Sequence, residues 1–157
     1  MKYLLSKPII GKDEMNNVKK VLESGWLSYG KYSQKLETAF KKKINSKHVI
    51  AVNSCTSGIH ACLVANNIKQ NDEVITSPFT FVSTINSVYQ QKTKIVLCDI
   101  SLEDYNIDIF DLKKKINSNT KCILPTHYAG NPCDILEILK LKKINKSIKI
   151  IEDAATA

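Results

Sequence analysis

The chain has 157 residues, 43% of them hydrophobic and 24% charged, with 23 basic against 15 acidic side chains and a formal net charge of +8. This length predicts one principal domain with a real core, and the composition excludes disordered and fibrous classes. No run approaches the ~20 apolar residues of a membrane span.

Every positive side chain is Lys. Readers of nucleic acid rely on Arg forks for base edges and phosphates, and these Lys residues are scattered, with short clusters only at Lys41–Lys43 and Lys113–Lys115. The abundance of Lys, Ile and Asn reads as the trace of an A/T-rich genome, so no nucleic-acid partner is expected. The start, Met1 to Pro8, has too short an apolar patch for a signal peptide. The expectation is a soluble cytoplasmic protein with no membrane partner. Cys55, Cys62, Cys98, Cys122 and Cys133 are odd in number and form no CxxC, as befits free thiols in a reducing compartment. His48, His60 and His127 have no ligand spacing, so no metal is expected.

In chain order, a helical lead-in comes first. Asp13 and Glu14 suit a helix N-terminus, with Met15, Val18, Val21 and Leu22 on one face. Ser24-Gly25 breaks it, and a second helix is predicted from an N-cap at Ser33 through Leu36 and Phe40. The domain division expected from this is 1–46 as the lead-in and 47–157 as the first part of a larger domain. Five apolar runs follow: His48–Val52, Glu73–Thr76, Ile95–Cys98, Lys121–Leu124 and Ile148–Ile151. They are continuous rather than alternating, as strands covered on both faces should be.

Between the runs lie segments of helical spacing: Ile59, Leu63 and Ile68; Phe81, Ile85 and Val88; Leu112 and Ile116; and Ile135, Ile138, Leu139 and Leu141. Strand–helix alternation of this kind predicts an α/β fold with a mostly parallel sheet. Asn66-Asn67, Asn71-Asp72 and Asn117–Asn119 read as turns. The acidic pair at the end of the last run falls where α/β folds bind ligands, and the chain is expected to be the N-terminal part of a longer one.

Four segments at predicted strand ends carry chemistry. Asn53–Gly58 places Thr56 and Ser57 at a helix N-terminus, a phosphate-binding arrangement or an ordinary hydroxyl cap. Neither GxGxxG nor a Walker motif is present. Thr76–Phe81 puts Phe79 and Phe81 in a polar turn, to lie against a planar ligand or to pack on the sheet. Glu152-Asp153 offers a carboxylate for a protonated ring nitrogen, or a cap for a following helix. Pro125–Gly130 offers His127 and Tyr128, facing a substrate or forming a structural turn. A phosphate cradle, a flat aromatic and a carboxylate for a pyridinium on one sheet edge describe pyridoxal 5'-phosphate.

The runs Ser24–Gly30, Ala51–Gly58, Asp72–Pro78, Asn106–Asp108 and Ile151–Ala155 resemble, in order and spacing, the nucleotide-sugar aminotransferases of the DegT/DnrJ/EryC1/StrS family. The resemblance covers essentially the whole chain. It implies a fold-type I enzyme dependent on pyridoxal 5'-phosphate, with the three-layer α/β/α large domain of that class incomplete in this chain. It further implies that Thr56 and the Ser57 backbone hold the cofactor phosphate, that Phe81 stacks on the pyridine ring, and that Asp153 pairs with the ring nitrogen. Where the family commonly has His or Gln after Glu-Asp-Ala-Ala, this chain has Thr156, placed near the cofactor's phenolic oxygen and shorter in reach. The Schiff-base Lys falls downstream of Ala157, so no catalytic residue is assigned.

The resemblance implies amino transfer from a donor such as glutamate to a nucleotide-linked keto sugar, with a homodimer completing each site. The Pro125–Gly130 turn is similar to that of members acting on 4-keto sugars. Two alternatives stand beside this reading: a pyridoxamine-dependent sugar 3-dehydratase of the same family, with His in place of the Lys, and a non-catalytic fragment. The isolated 157-residue chain is expected to be inactive.

Overall fold

Four parallel strands in the order β2-β1-β3-β4 form the sheet: β1 Glu73–Thr76, β2 Lys94–Leu97, β3 Thr120–Leu124 and β4 Lys149–Ile150. These come from a computed structural model that describes residues 7–157. The chain divides into two units, Met1–Ala51 and Val52–Ala157.

The first unit holds two amphipathic helices, α1 Lys12–Glu23 and α2 Lys31–Ile44. Glu14 accepts a hydrogen bond from the Gly11 N–H at 2.7 Å, which fixes the start of α1 with acids in its first turn. The second helix begins earlier than the sequence suggested. Its N-cap is Gly30, not Ser33, and a Cβ at Gly30 would lie 2.6 Å from Trp26 Nε1. The Trp26 indole donates to the Tyr29 carbonyl at 2.9 Å, so the tight Trp26–Gly30 turn, rather than a hydroxyl cap, launches the helix.

The second unit contains the sheet with α3 Cys55–Ala65, α4 Val82–Gln90, α5 Ile109–Lys115 and α6 Ile135–Leu141. Alternate residues of the strands point to opposite faces, and each face has its own core. Val74, Cys122, Leu124 and Ile151 pack with Ile59 and Leu63 of α3, Ile68, and Val88 of α4. Ile75, Ile123 and Ile148 pack with Leu112 and Ile116 at α5 and with Ile138 and Leu141 of α6. The arrangement is three-layer, α/β/α, and burial on both faces is why β1 and β3 are continuous apolar runs. Deleting a fully buried side chain such as Leu63 costs about 2–5 kcal/mol.

Four of the five predicted strand runs enter the sheet. The exception is His48–Val52, which has no regular secondary structure and forms no ladder among the described residues, and Ile50 is 78% exposed. A strand needs a neighbour to take its backbone groups. Here the Ala51 N–H donates to Glu37 Oε1 at 2.8 Å instead. The same run explains why the first unit extends to Ala51, beyond the division expected after residue 46. The Asn-rich turns appear as read, with Asn67 and Asn71 in left-handed backbone (φ 55° and 75°).

From β1 the chain crosses through α4 to β2 on one side, then passes through α5 to β3 on the other. The carboxyl ends of β1 and β3 are therefore a topological switch point, where a sheet of this kind opens a crevice. No helix among the described residues is long and apolar enough to cross a membrane.

Candidate active site

The segments leaving β1, β3 and β4 and the start of α3 meet at this switch point. Thr76 Oγ1 donates to the Leu124 carbonyl at 2.8 Å, locking the two central strand ends together. Beyond them the chain of β4 continues beside that of β3: the Asp153 N–H donates to the Pro125 carbonyl at 2.9 Å, and the His127 N–H donates to the Asp153 carbonyl at 3.0 Å. Thr126 and Asp153 thus form a parallel bridge that carries the pairing past the sheet's regular edge.

Asp153 is the central group. It is 3% exposed, and its carboxylate is met only by neutral donors: Thr84 Oγ1 at 2.6 Å to Oδ2, with the Ala155 N–H at 3.2 Å and the Cys55 thiol at 3.7 Å to Oδ1. No cation pairs with it among the described residues. Burying a carboxylate without a counter-charge costs several kcal/mol, so this position is suited to a cationic ligand group. Burial and the neighbouring Asp153 charge push the Cys55 thiol above its ordinary range, so it stays a neutral S–H donor.

Thr56 and Ser57 occupy the first turn of α3. The cap itself is Ser54, whose Oγ accepts from the Ser57 N–H at 3.2 Å and lies 3.0 Å from Ser57 Oγ. The Thr56 carbonyl accepts from Ser87 Oγ of α4 at 3.1 Å, which joins the two helices. The N–H groups of Cys55 and Thr56 have no partner among the described residues, as first-turn donors do unless an anion takes them.

Phe81 is the N-cap position of α4 rather than part of its packed face, and it is 75% exposed. One turn along the same helix lies Thr84, which holds Asp153. The sequence-predicted Thr56, Phe81 and Asp153 are thereby gathered on one rim through α3, α4 and the β4 extension.

The remaining candidates have other engagements. His127 is buried, its Nδ1 accepts from the Cys133 N–H at 3.0 Å, and its Nε2 lies 3.0 Å from Glu152 Oε2. Thr156 Oγ1 donates to the His127 carbonyl at 3.1 Å. Both residues bind the Thr126–Gly130 loop to the segment that delivers Asp153. Tyr128 packs on Phe79 with ring centroids 4.3 Å apart, and Tyr105 completes the cluster at 5.8 Å from Phe79. Asn106, buried, accepts from the Tyr128 N–H at 3.2 Å and donates to the Asn131 carbonyl at 3.2 Å.

Sequence reasoning missed Thr84, which donates to the carboxylate, and Thr80 and Thr126, which are linked to it in series. The available signal was the three-residue step from Phe81 to Thr84, one helical turn. Among the described residues no group of His, Cys, Asp and Glu side chains converges as a metal site.

The family model for the DegT/DnrJ/EryC1/StrS aminotransferases matches residues 8–157. The chain belongs to this family. It is 46% identical over 151 residues to an uncharacterized protein of Methanocaldococcus jannaschii, covering 96% of this chain and 39% of that one. It is 41% identical over 152 residues to the spore coat polysaccharide biosynthesis protein SpsC of Bacillus subtilis, covering 97% and 39%. Among solved structures, it is similar to a GDP-4-keto-6-deoxymannose-3-dehydratase with a trapped PLP-glutamate geminal diamine: TM-score 0.91, 28% identity, 98% of this chain and 41% of that chain. The chain thus spans about two fifths of the length of the proteins it matches. Pyridoxal 5'-phosphate is the family's cofactor.

The donor set fits that cofactor. A helix N-terminus with free N–H groups and hydroxyls suits its phosphate, and a buried, cation-free carboxylate suits a protonated ring nitrogen.

Proposed function

We propose that the whole protein transfers an amino group from an amino-acid donor, glutamate by chemistry, to the keto carbon of a nucleotide-linked sugar, a 4-keto sugar by the Pro125–Gly130 turn. The observation that carries this is Asp153, buried without a cation at the switch point, in a member of this family. The similarity to a polysaccharide-biosynthesis protein and to an enzyme of a GDP-linked keto sugar supports the substrate class. The protein acts as a soluble homodimer in which the partner completes each site.

When bound, the cofactor supplies an electron sink for the carbon that loses its proton. This chain's part is to hold and tune it. The Thr56 hydroxyl and the Cys55 and Thr56 N–H groups would take the phosphate and Phe81 would cover a ring face; the Ser57 N–H, expected to bind the phosphate, instead donates to Ser54 Oγ. Asp153, shielded from water, keeps the ring nitrogen protonated, because losing the proton would strand a buried anion. Thr156 spends its hydroxyl on the His127 carbonyl, so it steadies the loop rather than reaching the cofactor's phenolic oxygen.

The test is to incubate the whole protein with pyridoxal 5'-phosphate, L-glutamate and nucleotide-linked 4-keto sugars. Amino transfer gives 2-oxoglutarate and an equal amount of amino sugar. A deoxygenated keto sugar with ammonia released and no amino sugar would instead establish the 3-dehydratase chemistry of the similar GDP-sugar enzyme.

A further inference from the structure

We propose that Thr84 is a positioning residue of this site: the hydroxyl chain Thr126–Thr80–Thr84 ends on Asp153 and fixes its carboxylate for the cofactor's ring nitrogen. This rests on the reading of Asp153 given above.

Thr84 Oγ1 lies 2.6 Å from Asp153 Oδ2, Thr80 Oγ1 lies 2.8 Å from Thr84 Oγ1, and Thr126 Oγ1 lies 3.0 Å from Thr80 Oγ1. An ionised carboxylate only accepts hydrogen bonds, so Thr84 must donate to it. That leaves the Thr84 oxygen to accept from Thr80, and Thr80 in turn to accept from Thr126. Each link polarises the next, which strengthens the bond that reaches the buried charge.

The chain also closes on itself. Thr126 lies opposite Asp153 in the backbone bridge, whose hydrogen bonds come from its neighbours Pro125 and His127, so one segment holds Asp153 by main chain and again, through the Thr126, Thr80 and Thr84 hydroxyls, by side chain. Rotation of the carboxylate breaks this ring of contacts. Thr84 is fully buried in α4, where Val would fill the same volume, so packing alone does not call for the hydroxyl. Its place one turn beyond Phe81 lets a single helix start set both the aromatic and the carboxylate.

The whole protein, freed of cofactor, is titrated with pyridoxamine 5'-phosphate by calorimetry, a probe that needs no covalent Lys. Thr84→Val is expected to weaken binding about tenfold, as removal of a hydrogen bond to a charged group does. Thr84→Ser, which keeps the hydroxyl, should stay within about twofold of the unsubstituted protein. In an Asp153→Ala background Thr84→Val should weaken binding no further, because the group it positions is gone. Unchanged affinity in Thr84→Val, or an equal loss with and without Asp153, overturns the proposal.

Should Thr84→Val fail to fold, Thr80→Val carries the test. It is expected to weaken binding about threefold, and unchanged affinity there overturns the chain. No binding by the unsubstituted protein, by contrast, sinks the cofactor site itself.

Discussion

Two acidic side chains are buried to nearly the same depth at opposite ends of one sheet, and their surroundings differ in kind. Glu73, 4% exposed at the amino end of β1, meets Lys94 Nζ at 2.6 Å and Asn117 Nδ2 at 2.7 Å. These hydrogen bonds, Lys94 first, hold its carboxyl below the usual carboxylate range. Asp153, at the carboxyl end, is met by two hydroxyl or thiol groups and one N–H, with no cation among the described residues. The first carboxylate is complete in the folded chain and serves stability. The second is the one that, in the proposed function, a positively charged ligand group completes. Burial alone does not mark a functional acid; burial without a counter-charge, at a crevice, does.

The sharpest way to break the comparison is to exchange each acid for its amide. Asp153→Asn is expected to lower affinity for pyridoxamine 5'-phosphate about a hundredfold, since it removes one partner of a shielded charge pair, while the thermal midpoint stays level or rises. Titration calorimetry and a melting curve on the same samples check both. Glu73→Gln should do the reverse: cofactor affinity unchanged, stability lower by about 1 kcal/mol, read by urea unfolding.

Acid titration sharpens the contrast further. The Glu73 carboxyl is depressed on folding from its ordinary 4.5. Its contribution to stability is therefore complete above that value and disappears as pH falls through the lower folded one. Urea midpoints followed downward from pH 6 should fall more gently below pH 4.5 in Glu73→Gln than in the parent.

The smallest effect expected is at Cys55. Its thiol is a weak donor at 3.7 Å, so Cys55→Ser should change cofactor affinity less than about twofold. Burial pushes the Cys98 and Cys122 thiols up to about 12 and Cys133 to about 11. Iodoacetamide at pH 8 should accordingly label exposed Cys62 first and Cys55 after it.

The layered sheet was legible because Val74-Ile75 and Cys122–Leu124 are apolar in succession rather than alternating, as burial on two faces requires. His48–Val52 carries the same signature yet stays unpaired, because a strand's partner is a tertiary fact that no local pattern contains. Thr56, Phe81 and Asp153 could be named through the resemblance to the family, the residues alone leaving a cap or a packed aromatic equally open, and the sheet's carboxyl rim gathers them. Thr80, Thr84 and Thr126 could not. Thr is an ordinary residue of turns and helix starts, and its role here appears only when segments 46 and 69 residues apart in sequence meet within hydrogen-bond range. His127 was a candidate because it sits at a strand's carboxyl end, with a structural turn as the alternative. Its ring instead takes the Cys133 N–H and faces Glu152, a structural use that sequence alone does not distinguish.

Ring-nitrogen protonation is the quantity on which the proposed role of Asp153 depends most directly. The nitrogen-15 chemical shift of pyridoxamine 5'-phosphate labelled at the ring nitrogen, bound to the whole protein at pH 8, reads it without turnover. A pyridinium shift that becomes a neutral-pyridine shift in Asp153→Asn is the predicted result. A neutral pyridine in the unsubstituted protein, or a pyridinium that survives the substitution, would contradict it.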